Sequence, residues 1–118
     1  MSAVTTHVLD TALGRPAEGV PVRLELMRAA SDTGPRGVAH LVASAVTDAD
    51  GRIGDLGPDR VAAGTYRLVF DTAAYFTATG QIGFFPEITV AFALTDPEQH
   101  HHVPVLLSPF AYSTYRGS

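Results

Sequence analysis

Hydrophobic residues in this chain recur at every second position. Val20, Val22, Leu24 and Leu26 alternate with Pro21, Arg23, Glu25 and Met27. Ile88, Val90, Phe92 and Leu94 alternate with Glu87, Thr89, Ala91 and Ala93, and Tyr66, Leu68 and Phe70 form a shorter third case. A period of two gathers apolar side chains on one face of an extended strand, where a helix would scatter them around its circumference. Such strands are half-buried, with one face for a core and the other for solvent or a partner. Thr5–Asp10, Val38–Thr47, His100–Leu107 and Ala111–Arg116 read as further strands, making about seven in all. Between them, Gly14-Arg15-Pro16, Gly34-Pro35-Arg36-Gly37, Asp48-Ala49-Asp50-Gly51 and Gly57-Pro58-Asp59 supply turn chemistry. Only Thr72–Thr79, with Ala73, Ala74 and Ala78 and a closing Gly80, suits a short helix. The pattern predicts an all-β protein, an antiparallel β-sandwich with one short helix.

The 118 residues suffice for one domain, 1–118, and are too few for two. With no cysteine there is no disulfide framework, thiolate metal site or cysteine nucleophile. A net charge of −4 argues against non-specific binding to nucleic acid or anionic membranes. No apolar run approaches the ~20 residues of a membrane span. The opening residues, Met1 to His7, lack a basic region followed by an apolar run, so a cytoplasmic location is expected. Neither a Gly-x-Ser-x-Gly elbow, a Gly-rich phosphate loop nor a dinucleotide fingerprint occurs. The remaining chemistry belongs to histidine, arginine, hydroxyl groups and an activated water.

His100 and His102 lie two apart on a predicted strand, so both leave the same face, about 6.6–6.8 Å apart along it. His101 points the other way, with Val103 and Val105. Two same-face imidazoles suit an acid/base pair, because histidine titrates near neutrality. They equally suit two-thirds of a zinc site with His7 as third ligand, or a merely solvated strand entry. The spacing alone does not choose. Asp48-Ala49-Asp50-Gly51 begins like a calcium loop, but no glutamate closes it, so it reads as a tight turn that places Arg52 at the start of the next strand. An arginine there is a fork-shaped donor for a carbonyl or anion. The tail, Ala111-Tyr112-Ser113-Thr114-Tyr115-Arg116-Gly117-Ser118, carries two tyrosines, an arginine and two serines. Termini usually fray; one built this way is expected to be anchored and used.

These segments resemble the 5-hydroxyisourate hydrolases, the transthyretin-related enzymes of purine breakdown. Tyr115-Arg116-Gly117-Ser118 resembles the family's signature tetrapeptide, and Ser108–Thr114 the stretch shared with transthyretin itself. Thr6–Ala17 looks like the opening strand and loop, Thr47–Arg52 like the arginine turn, and Phe84-Phe85-Pro86-Glu87 like the lead into a late strand. The resemblance runs in order along essentially the whole chain. It implies a transthyretin-like β-sandwich, a homotetramer built as a dimer of dimers, and active sites in the channel between dimers. It implies ring opening of 5-hydroxyisourate to 2-oxo-4-hydroxy-4-carboxy-5-ureidoimidazoline in urate degradation, with no cofactor required. On this resemblance His7, Arg52 and His102 are expected to be catalytic, and Ser118, Tyr115, Arg116, Gly117 and His100 to contact substrate. Which histidine is the base stays open. His101 stands where the family more often has tyrosine. Transthyretin, the hormone carrier, lacks the site histidines and the Tyr-Arg-Gly-Ser ending. A small-ligand carrier and a His-cluster metal-binding protein are the rival readings.

Overall fold

The computed structural model describes residues 2–35 and 37–118; Met1 and Arg36, the latter within a predicted turn, lie outside the described residues. The elements run β1 (Val4–Asp10), β2 (Arg15–Pro16), β3 (Pro21–Ala29), β4 (His40–Val46), β5 (Arg52–Ile53), β6 (Gly64–Phe70), α1 (Thr72–Ala78), β7 (Ile88–Leu94), β8 (His101–Ser108) and β9 (Ala111–Thr114). They form two sheets. One has the order β2-β1-β8-β9, with β5 also on β1; the other has the order β4-β3-β6-β7. The sheets face each other as a sandwich, and the alternating residues fill the space between. Val4 and Val8 of β1, Val103, Val105 and Leu107 of β8, Val22 and Leu24 of β3, Leu68 and Phe70 of β6, and Ile88 and Leu94 of β7 share one core. Fully burying an aliphatic or aromatic side chain of this size contributes about 1.5–3 kcal/mol.

All seven expected long strands and the helix are present. β4 starts two residues later than expected, at His40, with Val38 left largely exposed. The two-residue β5 begins at Arg52, the strand start expected from the preceding turn, and β2, also of two residues, is an addition. One pairing departs from antiparallel order: β1 and β8 lie parallel, Thr5 beside His102 and His7 beside Pro104. No helix among the described residues is long and apolar enough to cross a membrane.

The predicted helix is fixed at both ends. Asp71 accepts a hydrogen bond from the Ala74 amide at 3.1 Å, an N-cap, and Gly80 follows with φ +70°. Tyr75 and Phe76 face inward. The Tyr75 hydroxyl donates to Oδ2 of buried Asp10 at 2.6 Å, tying the helix to the end of β1.

The expected strand Ala111–Arg116 ends at Thr114, and the reason lies across the ladder. In the β8–β9 register Val105 faces Thr114, so the next facing pair is Pro104 and Tyr115. Proline has no N–H to give, and the ladder lapses there. It resumes two residues on, in the same register, as an antiparallel bridge between His102 and Gly117. Meanwhile the Thr114 hydroxyl donates to the Pro104 carbonyl at 2.7 Å. The tail is thereby held against β8.

Candidate functional site

The parallel β1–β8 pair builds the floor of the site. Thr5 and His7 occupy alternate positions of β1, and His102 stands beside Thr5 on β8, with His100 just before that strand. The His100 and His102 rings lie 6.5 Å apart between centroids, nearly parallel at 19°. The same-face expectation therefore holds. His101 turns into the sandwich, 4% exposed, its Nδ1 3.0 Å from the Gln99 carbonyl.

Thr5, buried behind the two rings, is the residue that the sequence reading missed. Its Oγ1 lies 2.8 Å from His100 Nε2 and 2.8 Å from His102 Nδ1. His100 Nδ1 in turn lies 3.1 Å from the Ser2 carbonyl. One signal for Thr5 was available: two positions before His7 on a strand, it had to share that histidine's face.

Arg52 arrives through a turn that demands glycine. Gly51 has φ +75°, and a Cβ there would sit 2.3 Å from the Val8 carbonyl oxygen. That close approach is used, because the Val8 amide donates to the Gly51 carbonyl at 2.7 Å. Asp48 Oδ1 accepts from the amides of Asp50 and Arg52 at 2.9 and 3.0 Å, closing the turn. Arg52 then pairs with His7 across β1–β5. Its exposed guanidinium takes no hydrogen bond or ion pair among the described residues, which leaves the whole fork for a ligand.

The tail forms the facing wall. The Gly117 amide donates to the His102 carbonyl at 2.9 Å, and the glycine lies flat on the His102 ring. Ser118 follows. Thr5, Arg52, Gly54, His100, His102 and Ser118 line one depression of about 300 Å³. Tyr115 and Arg116 do not join it. They lie on the other flank of His102, beside a cleft of about 310 Å³ with Val90, Phe92 and His101, and Arg116 donates to Gln99 Oε1 at 3.1 Å. His7 also stands outside the lining. Its Nε2 donates to the Asp50 carbonyl at 2.8 Å.

Burial holds the His102 pKa below the ordinary histidine value, and the Arg52 charge together with the neighbouring His100 and His7 adds to the effect. His102 is thus kept neutral, as a base must be. Among the described residues no three of His, Asp and Glu converge as metal ligands. In the rival grouping of His7, His100 and His102, the inner nitrogens of the last two are engaged with Thr5 and Ser2.

A family model described as HIUase/Transthyretin matches residues 4–117. The chain belongs to this family. It is 45% identical to the 5-hydroxyisourate hydrolase of Mus musculus over 118 residues, 99% of this chain and 96% of the mouse protein. The structure of Klebsiella pneumoniae 5-hydroxyisourate hydrolase superposes with a TM-score of 0.79 at 36% identity, covering 98% of each chain. Sea bream transthyretin, solved in complex with thyroxine, gives a TM-score of 0.85 at 34% identity, over 98% of this chain and 94% of that one. The HIUase/Transthyretin fold is thus common to a hydrolase and a thyroxine-binding protein, and the side chains at the site have to separate the two.

Proposed function

We propose that this protein hydrolyses 5-hydroxyisourate to 2-oxo-4-hydroxy-4-carboxy-5-ureidoimidazoline in urate degradation. The observation that carries this reading is the meeting of a neutral, half-buried imidazole, an unpaired guanidinium and a hydroxyl residue around one depression: His102, Arg52 and Ser118. Water adds to a ring carbonyl, and His102 takes the proton released. A positioned base of this kind contributes typically ~10²–10⁴-fold. Arg52 holds the oxyanion that forms, a role worth ~2.7–4 kcal/mol when such a donor is lost. Collapse of the tetrahedral centre breaks the C–N bond, and the departing ring nitrogen takes the proton back from His102, which returns to its neutral form. Ser118 and His100 orient the flat, polar substrate. The name of the mouse relative supports the substrate class.

We place this chemistry in the cytoplasm and in a homotetramer, a dimer of dimers. Support for assembly comes from β7 and β9, which end their sheets with unpaired backbone groups. Beside them Phe84, Phe110, Tyr112 and Tyr115 are exposed. Phe85 packs edge-on against Phe84 at 5.0 Å and Tyr112 at 5.2 Å, so these aromatics form a patch and are not scattered singly. In such an assembly Tyr115 and Arg116, on the far flank of His102, stand with Gly117 where residues of neighbouring subunits meet.

The deciding experiment follows the ultraviolet decay of freshly made hydroxyisourate with and without the protein. Acceleration over the spontaneous rate, lost in His102→Asn with the fold and assembly unchanged, is the expected result. No acceleration turns the reading towards a carrier of small ligands, and near-wild-type turnover by His102→Asn removes the role given to His102.

A further inference from the structure

The hydrogen bonds behind the two outward histidines form an unbranched chain whose direction is fixed at one end. The Ser2 carbonyl has no proton to give, so His100 Nδ1, 3.1 Å away, is the donor. A neutral imidazole has a single N–H, so His100 Nε2 is bare and must accept. The atom 2.8 Å from it is Thr5 Oγ1, and the Thr5 hydroxyl gives its one proton there. Towards His102 Nδ1, also 2.8 Å away, the Thr5 oxygen is then an acceptor, so Nδ1 carries the hydrogen. The other ring nitrogen of His102 is left with a lone pair. Among the described residues no buried polar side-chain atom lacks a partner, and Nε2 takes none, so Nε2 is not sealed in the protein, and His102 lines the depression shared with Arg52 and Ser118.

We propose that Thr5 is a positioning residue: by relaying the Ser2 carbonyl through His100, it locks neutral His102 in the Nδ1–H tautomer and makes Nε2 the atom that receives the proton of the attacking water. This deepens the hydrolase reading and rests on it for the identity of the water. In water, neutral histidine favours the opposite tautomer, whose Nε2 is already protonated and cannot act as base. The role is that of a carboxylate behind a catalytic histidine, filled here by a neutral hydroxyl whose own direction is set two links away. His100 belongs to the same device. It sets the direction of the Thr5 hydroxyl, in addition to any contact it makes with substrate.

The test uses Thr5→Val, which keeps the volume and β-branching and removes only the hydroxyl, alongside Thr5→Ser, which restores it. Ring-nitrogen NMR at about pH 8.5, above the ordinary histidine value of ~6.5, reads the neutral tautomer directly. Wild type and Thr5→Ser are expected to show His102 with Nδ1 protonated and Nε2 bare, whereas Thr5→Val shows a mixture. In parallel, kcat of Thr5→Val should fall roughly 10–100-fold, the range in which partners that orient a histidine act, with KM within about threefold and Thr5→Ser recovering most of the loss. A proton on Nε2 in wild type, an unchanged tautomer in Thr5→Val, or an unchanged kcat would each overturn the proposal. If wild type does not accelerate hydroxyisourate decay, the hydrolase reading falls, and the spectrum alone decides the tautomer.

Discussion

Gly117→Ala isolates the contact between the tail and the ring of His102. A Cβ at Gly117 would lie 2.5 Å from His102 Cδ2, and 3.2 Å from both His102 Cγ and Pro104 Cγ. Carbon atoms rest at about 3.5–4.0 Å, so the methyl group overlaps the ring by at least ~1 Å. Gly117 does not use the left-handed backbone region, so alanine brings no backbone strain of its own. Two responses are open. The ring can retreat, which pulls Nδ1 from the Thr5 hydroxyl, or the tail can lift, which breaks the 2.9 Å bond from the Gly117 amide and carries Ser118 out of the depression. Either displaces a reacting group by about an ångström, an error that costs roughly 10²-fold, equivalent to about 2.7 kcal/mol in the barrier. Stability should change far less, because the affected bond lies at a sheet edge and is worth about 0.5–1.5 kcal/mol. Hydroxyisourate decay gives kcat/KM, and urea unfolding of the same preparations gives stability. If Gly117→Ala retains kcat/KM within about threefold of wild type, the tail does not hold His102, and the argument is wrong.

Two further expectations concern protons. For activity, the acid limb of kcat/KM should lie below ~6.5, because burial first and then Arg52, His100 and His7 disfavour protonated His102. For stability the sign is the same: the unfolded chain takes this proton at higher pH than the folded one does. The contribution of His102 is complete above ~6.5 and is lost as pH falls through its lowered folded value. A limb at or above ~6.5 in rate measurements across pH 4.5–8 would contradict this. The second expectation concerns Tyr75→Phe, which should destabilise by about 1.5–3 kcal/mol, since a hydrogen bond to a charged group is removed. Burial by itself would raise the Asp10 carboxyl, but hydrogen bonds from Tyr75, the Leu13 amide and Gln81 outweigh it and hold the group below its usual value. The stability this gives is present above ~3.9 and is lost as pH falls through the lowered folded value, so Tyr75→Phe should also begin acid unfolding at higher pH. Urea midpoints from pH 3 to 7 check both effects, and a midpoint unmoved at every pH would refute them.

What the sequence discloses follows from the range of each signal. Alternation is local, so β3, β6 and β7 and the shared face of His100 and His102 are legible without a structure. A strand of two residues has no period, which is why β2 is invisible until β1 pairs with it and β5 shows only through the turn before Arg52. The parallel partnership of β1 and β8 joins segments that share no local pattern, and the Thr5 hydroxyl acquires its meaning only through that partnership. Pro104 was readable as a residue without an N–H, but its interruption of the ladder needed the facing register. Likewise, the position of Tyr115 and Arg116 on the far flank of His102 depends on that interruption. Gly117 is a special case: its need for glycine comes from a ring 15 positions earlier, not from its own backbone angles.

The parallel β1–β8 seam also says when the protein can become active. Thr5 and His102 are separated by 97 positions. Closing so long a loop is a late event for a folding chain, whereas β3–β4 and β6–β7 join segments closer in sequence. A nascent chain can therefore assemble one whole sheet while the chemistry does not yet exist in any form. In refolding, turnover should report the docking of the last strands and not the collapse that precedes it. A species without the β1–β8 pairing lacks the Thr5–His102 contact, so it should show no turnover.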